Sequence, residues 1–286
     1  MSSPLRLIDH LRALGYANRA ARDLLETGKV AYHGVPTADG GRQVDPARVV
    51  ISPSAPRLRP NRDLAVVFHD RHLAVVYKPP GMLAVEAPGR RREGSVVGQV
   101  RRLFGAGHAV HRLDEPTSGL MMVALTEASQ REIKEILFRH EVRRVYLALV
   151  SGHFPAAPFT VATQLVRDRG DGLRGSDADG DDEQGKEAVT HFRLVERLGR
   201  RASLVEATLE TGRTHQVRIH LSERGFPILG DRLYGPRGRE LPAERLALHA
   251  AELGLRHPVS GEALHFEAPL ADDLEQLRRR LGHAQS

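Results

Sequence analysis

Apolar residues recur along this chain at two periods, and the switches between them mark its parts. Leu5, Ile8, Leu11 and Leu14 fall three apart while Asp9, His10 and Arg12 take the other side, which predicts a helix. A second helix is predicted from Asn18, a residue type suited to an N-cap, to Thr27, with Gly28 ending it. Short strands follow at Val30-Ala31-Tyr32 and Arg48-Val49-Val50-Ile51, with a turn at His33-Gly34-Val35-Pro36. Ile51 to Asn61 is rich in Pro and Ser and has no period, so it is expected to be a linker.

Short strand-like runs then dominate. Leu64 to Phe68 and Leu73 to Tyr77 form a hairpin pattern around His69-Asp70-Arg71-His72 and end in Lys78-Pro79-Pro80-Gly81. Further strands are predicted at Val142–Val150, Ala188–Val195 and Ala202–Leu209, and again at Gln216-Val217-Arg218 after a turn that carries Arg213. Helices are predicted from Ser95 to Phe104, with Val96, Val97, Val100 and Leu103 inward, and from Glu127 to His140, with Ile133, Ile136 and Leu137 inward. A short amphipathic helix from Asp272 to Leu281 closes the pattern. The fold class is therefore α+β, with residues 1–58 as a small α+β domain plus linker and 59–286 as a larger domain.

Composition narrows the chemistry. The 286 residues include no cysteine, which excludes a disulfide framework, a cysteine-zinc site and a cysteine nucleophile, and suits a reducing, cytoplasmic setting. No apolar run approaches the roughly 20 residues of a membrane-spanning helix, and the N-terminus has no signal-peptide core. The net charge is +6, and the cations are nearly all arginine. Guanidinium groups grip phosphate bidentately and stack on bases, so an RNA partner fits this balance. Gly89 to Gly94 is a basic loop, and Arg167 to Glu187 is a polar stretch expected to be mobile. The latter carries Asp177, Asp179, Asp181 and Asp182 without a calcium-loop spacing or its terminal Glu, so no metal site is expected there.

The densest cluster of reactive side chains is Val110 to Thr126, VHRLDEPTSGLMMVALT. Pro116 fixes its own φ and pushes Glu115 toward an extended backbone, so this is a constrained loop rather than a helix. Gly119 allows a sharp turn just before the apolar run Leu120–Leu125. Asp114 and Glu115 are adjacent and point opposite ways in extended chain, which argues against a two-carboxylate glycosidase pair.

His111-Arg112-Leu113-Asp114 followed by Thr117-Ser118-Gly119 resembles the HRLDxxTSG signature of the RluA-type pseudouridine synthases. The same family is resembled by Lys78-Pro79-Pro80-Gly81, by Arg144-Val145-Tyr146-Leu147-Ala148-Leu149-Val150, where Arg144 replaces the usual Lys, and by Thr211-Gly212-Arg213-Thr214-His215-Gln216-Val217-Arg218. It is resembled again by Gly230-Asp231 with Tyr234-Gly235, by Leu248-His249-Ala250, and by the tail through Phe266 to Leu270. The N-terminal run NRAARDLLETGKVAYHG resembles an S4 RNA-binding domain, in which a basic helix lies on RNA phosphates.

The resemblance implies a mainly antiparallel mixed sheet flanked by helices, and isomerisation of uridine in structured RNA without metal or cofactor. Large-subunit ribosomal RNA is the expected target and tRNA the alternative; a monomer is expected. It implies Asp114 as the catalytic carboxylate, with three roles open: attack at C1′, addition at C6, or base at C2′. Arg218 is implied as its charge partner and Tyr146 as the active-site ring beside the target base. Arg112 would fill the space the extruded base leaves, with His111 orienting the loop, and Arg213, Arg19, Arg22 and Lys29 would contact RNA. Two other classes compete: a non-catalytic RNA-binding or assembly factor, against which the joint presence of Asp114, Tyr146 and Arg218 speaks, and a nucleoside hydrolase, against which the basic N-terminal part speaks.

Overall fold

Short apolar runs with β-branched content make strands here because such pleated chains must be buried on one face or on both. The computed structural model describes residues 5–55, 57–59, 63–86, 94–177, 185–235 and 243–283. They pack as two units. The basic loop at 89–93 and Asp179, Asp181 and Asp182 lie outside the described residues. Among the described residues, no helix is long and apolar enough to cross a membrane.

The first unit comprises Met1–Glu135 with Pro258–Gly261 and Phe266–Glu275. It begins with β1 (Leu5–Arg6), α1 (Leu7–Ala13) and α2 (Asn18–Glu26). Leu7, Leu11, Ala21, Leu24, Leu25, Val30 and Val44 form a separate small core there. Leu5 is thus a strand residue rather than the start of the helix, because it pairs with Val44 of β4 (Gln43–Val44). Ala17, not Asn18, is the N-cap of α2, and Asn18 instead accepts a hydrogen bond from Arg12 Nε at 2.6 Å. β2 (Val30–Tyr32) and β3 (Val35–Pro36) form a hairpin whose two turn residues, His33 and Gly34, both have positive φ, the backbone a two-residue turn requires. β5 (Val49–Ile51) pairs on the other edge of β2.

The larger part of this unit is a sheet of β6 (Ala65–His69), β7 (Leu73–Lys78) and β9 (Ser118–Ala124), with β8 (His108–Ala109) also paired to β9. Asp70 Oδ1 accepts from the amides of His72 and Leu73 and sets the β6–β7 turn. Every residue of β7 and β9 is buried, consistent with their unbroken apolar runs. α3 (Val96–Phe104) is capped by the Ser95 hydroxyl and buries Val96, Val97 and Val100. Its stripe continues through Phe104, which meets the His69 ring at 4.8 Å, so Leu103 faces outward and is 55% exposed, contrary to expectation. α4 (Glu127–Phe138) stops before His140, whose φ of 60° no longer fits a helix.

The second unit comprises Ile136–His257, Glu262–His265 and Gln276–Ser286. It contains β10 (Arg143–Ser151), β11 (Phe159–Val166), β12 (Gly175–Ser176), β13 (Lys186–Leu198), β14 (Ala202–Leu209), α5 (Gln216–Glu223) and β15 (Leu248–Arg256). β16 (Ala263–Glu267) and α6 (Asp272–His283) end the chain. The strands run in the order β12, β11, β13, β14, β10, β15, all antiparallel. Phe154, Phe159, Phe192 and Phe226 cluster at one end of this sheet. Gln216-Val217-Arg218, expected as a strand, instead opens the helix α5.

Candidate active site

In the first unit, the loop between β8 and β9 carries the densest functional sequence. The Thr117 amide donates to the Asp114 carbonyl at 3.0 Å, closing a tight turn over Glu115 and Pro116. Two further ties hold that turn to β7 and its exit. Lys78, fully buried, donates from its ammonium to the carbonyls of Pro79 at 3.0 Å, Met82 at 2.8 Å and Glu115 at 2.9 Å. The Gly81 amide donates to the same Glu115 carbonyl at 2.8 Å. An ammonium with three donors is thereby matched to three backbone acceptors, which is how a buried lysine can stay charged. His111 Nε2 accepts from the Met122 amide at 3.0 Å, so this nitrogen carries no proton and the ring fastens the loop to β9. That fits the orienting role expected of His111. Asp114 is half-buried on this braced turn and Arg112 is exposed beside it. Gly119 belongs to β9, opposite Lys78, with φ of 117°.

In the second unit, β10 presents Arg144 and Tyr146. Tyr146 is 9% exposed and lies between Ala207 of β14 and Ala250 of β15, small neighbours that leave room for its ring. The β10–β15 register shifts between Val145 and Tyr146, a bulge that re-aims the side chain. Arg144 is 7% exposed and donates to the Glu210 carbonyl at 2.6 Å, while its Nε is buried without a hydrogen-bond partner among the described residues. Burial lowers its pKa, Tyr146 raises it and nearby Arg213 lowers it. Gly212 packs beside it: a Cβ there would stand 2.5 Å from Arg144 Nη1, so the guanidinium would have to shift. Arg213 is exposed and its Nε donates to the Glu187 carbonyl at 2.8 Å.

α5 explains most of the Thr211–Leu221 motif as architecture. Gln216 accepts from Thr211 Oγ1 and the Arg213 amide and donates to the Val189 carbonyl and Thr190 Oγ1. His220, fully buried, bridges the hydroxyls of Thr190 and Thr163 at 2.9 and 3.0 Å, and burial lowers its pKa to about 4. Arg218 is also buried. Its Nε and Nη2 donate to the two Asp231 oxygens at 2.8 Å each, and its Cζ lies 5.1 Å from the centre of the Tyr234 ring. Burial pushes the Asp231 carboxyl up; the Arg218 fork and the amides of Tyr234 and Leu233 outweigh it and hold the pKa below the usual value. Tyr234 in turn meets His215 Nδ1 through its hydroxyl at 3.0 Å.

Lys78, Asp231 and Tyr234 carry no role in the sequence reading above. A lysine inside an apolar strand just before Pro-Pro-Gly is the signal for the first, and the Gly230-Asp231 and Tyr234-Gly235 block for the others. On the N-terminal part, Arg19 and Arg22 are exposed on α2 without an ion-pair partner among the described residues, and Lys29 is half-buried beyond it.

The braced turn that bears Asp114 belongs to the first unit, and Tyr146, Arg144 and the clamped Arg218 belong to the second. The chain matches the RNA pseudouridylate synthase family over residues 72–223 and belongs to it, as an RluA-type RNA pseudouridine synthase and thus an isomerase. It is 38% identical over 234 residues to "Ribosomal large subunit pseudouridine synthase D" of Zymomonas mobilis, covering 76% of this chain and 73% of that protein. It is also 38% identical over 208 residues to "Dual-specificity RNA pseudouridine synthase RluA" of Escherichia coli K12, covering 72% and 93%. Among solved structures, human RNA Pseudouridylate Synthase Domain Containing 1 aligns with a TM-score of 0.62 and 28% identity over 79% of this chain and 98% of that one.

Proposed function

We propose that this enzyme converts uridine to pseudouridine in large-subunit ribosomal RNA, with Asp114 as the catalytic carboxylate. The reaction breaks the N1–C1′ bond, turns the uracil, and joins C5 to C1′; C5 loses its proton and N1 gains one, so no electrons are exchanged and no cofactor is needed. The observation that carries the assignment of Asp114 is its bracing. The turn that bears it is held by Lys78, Gly81 and His111, which fixes the backbone of one carboxylate before substrate arrives. Arg218 is assigned as the charge partner of that carboxylate, and its rotamer is set in advance by Asp231. Tyr146 is assigned to the face of the target base and to proton transfer at C5. Arg112 is assigned to the gap left by the extruded uridine, whose unstacking costs about a few kcal/mol.

The Zymomonas relative's name supports ribosomal RNA as substrate. The basic N-terminal part, residues 1–58, is assigned as an S4-like domain whose Arg19, Arg22 and Lys29, together with Arg213, meet phosphates. The "dual-specificity" of the Escherichia coli relative favours a second reading, in which tRNA is modified as well.

The test is release of tritium from RNA carrying 5-tritiated uridine, which reports loss of the C5 proton. Asp114→Ala and Asp114→Asn abolish release while the melting temperature stays within a few degrees. Release at a tenth of the parent rate would remove Asp114 from this role. A carbodiimide map of pseudouridine in total RNA from cells with and without the gene then names the uridine; loss confined to tRNA would overturn the ribosomal assignment.

A further inference from the structure

The N-terminal part is joined to the chain's far end by a buried ionic cluster. The Asp272 carboxylate accepts from Thr37 Oγ1 at 2.7 Å and Arg42 Nη2 at 2.8 Å on one oxygen, and from the Ala38 amide at 2.8 Å on the other. The same Arg42 Nη2 donates to the Leu270 carbonyl at 2.6 Å. Thr37, Arg42 and Asp272 are each no more than 7% exposed. The 37–42 segment is rigid in its own right: the Asp39 amide donates to Thr37 Oγ1, the Gly41 amide to Asp39 Oδ1, and the carbonyls of Arg42 and Gly40 receive the amides of Leu7 and Ile8 at the start of α1. His33 lies 3.5 Å from the Glu267 carboxylate, a second point of attachment. All these residues belong to the unit that carries the Asp114 loop.

A charge buried this far from water is stable only with its partners in place, so the cluster favours one docked geometry over many loose ones. The alternative is a module on a string. Residues 52–63 are rich in Pro and Ser, and a flexible connector of about ten residues would spread its ends by roughly 18 Å. We propose that Asp272 is a positioning residue for the reaction: it locks the basic N-terminal module onto the unit bearing Asp114, so that the fixed span from Arg19 and Arg22 to the reacting carboxylate selects the uridine. This rests on the assignment of that module to RNA phosphates.

The chain has no cysteine, so Glu26→Cys on α2 and Leu103→Cys on α3, both exposed, give a unique pair of spin labels in the full-length protein. Their distance distribution is narrow in the parent and broad in Asp272→Ala; Thr37→Val, which removes one of the three donors, broadens it less and serves should Asp272→Ala not fold. In the same variants KM for a long structured RNA rises tenfold or more, or a neighbouring uridine becomes modified, while kcat and the rate on a short hairpin stay within twofold. A distribution that stays narrow in both variants overturns the lock. A broadened distribution with unchanged KM and site choice overturns the selecting role. Arg19→Glu with Arg22→Glu then separates the causes: weakened RNA binding keeps the module's RNA contact, and unchanged binding rejects it.

Discussion

His220 gives the sharpest test of how this fold holds its sheet against α5. Its ring is fully buried between the hydroxyls of Thr190 and Thr163, and its pKa falls to about 4 from 6.5. The folded protein therefore keeps the ring neutral over a range in which the unfolded chain takes up a proton. Between pH 6.5 and 4 the unfolded state binds more protons, so stability rises with pH; it is fully present above 6.5, falls as pH drops, and loses nothing further from this group below 4. The limiting slope is about 1.4 kcal/mol per pH unit and the ceiling about 3 kcal/mol, with about 2 kcal/mol already gone at pH 5.

The assay is urea unfolding followed by circular dichroism at half-unit steps from pH 7.5 to 5, for the parent and for His220→Gln. The parent loses about 2 kcal/mol more over that range than the variant, because Gln cannot titrate. His33, whose pKa is also lowered by burial, is present in both and cancels in the difference. The variant is less stable at pH 7.5, since one of two threonine hydroxyls is left poorly matched, at a cost of about 1–3 kcal/mol. Parallel curves for the two proteins would refute the reasoning: His220 would then be open to water in the folded state.

Lys78→Met removes the ammonium from the carbonyls of Pro79 and Met82 and leaves the Glu115 carbonyl with the Gly81 amide alone, which loosens the Asp114 turn; stability falls by about 2–4 kcal/mol and tritium release falls by at least a hundredfold, and activity that fell only in step with the folded fraction would show that Lys78 does not brace the site. Asp231→Asn leaves the Arg218 guanidinium buried without its countercharge; a loss of about 3–5 kcal/mol with turnover abolished is expected in melting and kinetic assays. Gly212→Ala drives a methyl into Arg144 Nη1, so kcat falls at 25 °C with little change in RNA affinity, measured by filter binding. Reversing Arg19 and Arg22 to Glu lowers affinity and reduces the slope of log K against log salt concentration by about one per lost phosphate contact, seen in a titration from roughly 50 to 300 mM salt.

Much of this molecule is legible because its strands are short apolar runs bounded by polar residues. β14 runs over Ala202–Leu209 as its pattern predicts, and β10 falls within one residue of its prediction, since both are buried along most of their length. α5 is not legible, and the reason is physical. Val217, Ile219 and Leu221 alternate and two of them are β-branched, which is a strand's signature. Yet all six residues from Gln216 to Leu221 are buried, so the helix has no solvent face and no 3.6-residue stripe to reveal it. Its polar residues then look like chemistry. Gln216 and His220 instead fasten α5 to β13, because a buried polar group must find partners and Thr190 supplies them. Of the motif's polar residues, Arg218 is aimed by a second carboxylate, Asp231, thirteen positions away. The motif is thus mostly scaffold that fastens α5, and the Asp231 and His220 variants separate its two parts: the first should stop turnover, the second should flatten the fall of stability toward low pH and leave turnover at pH 7.5 intact.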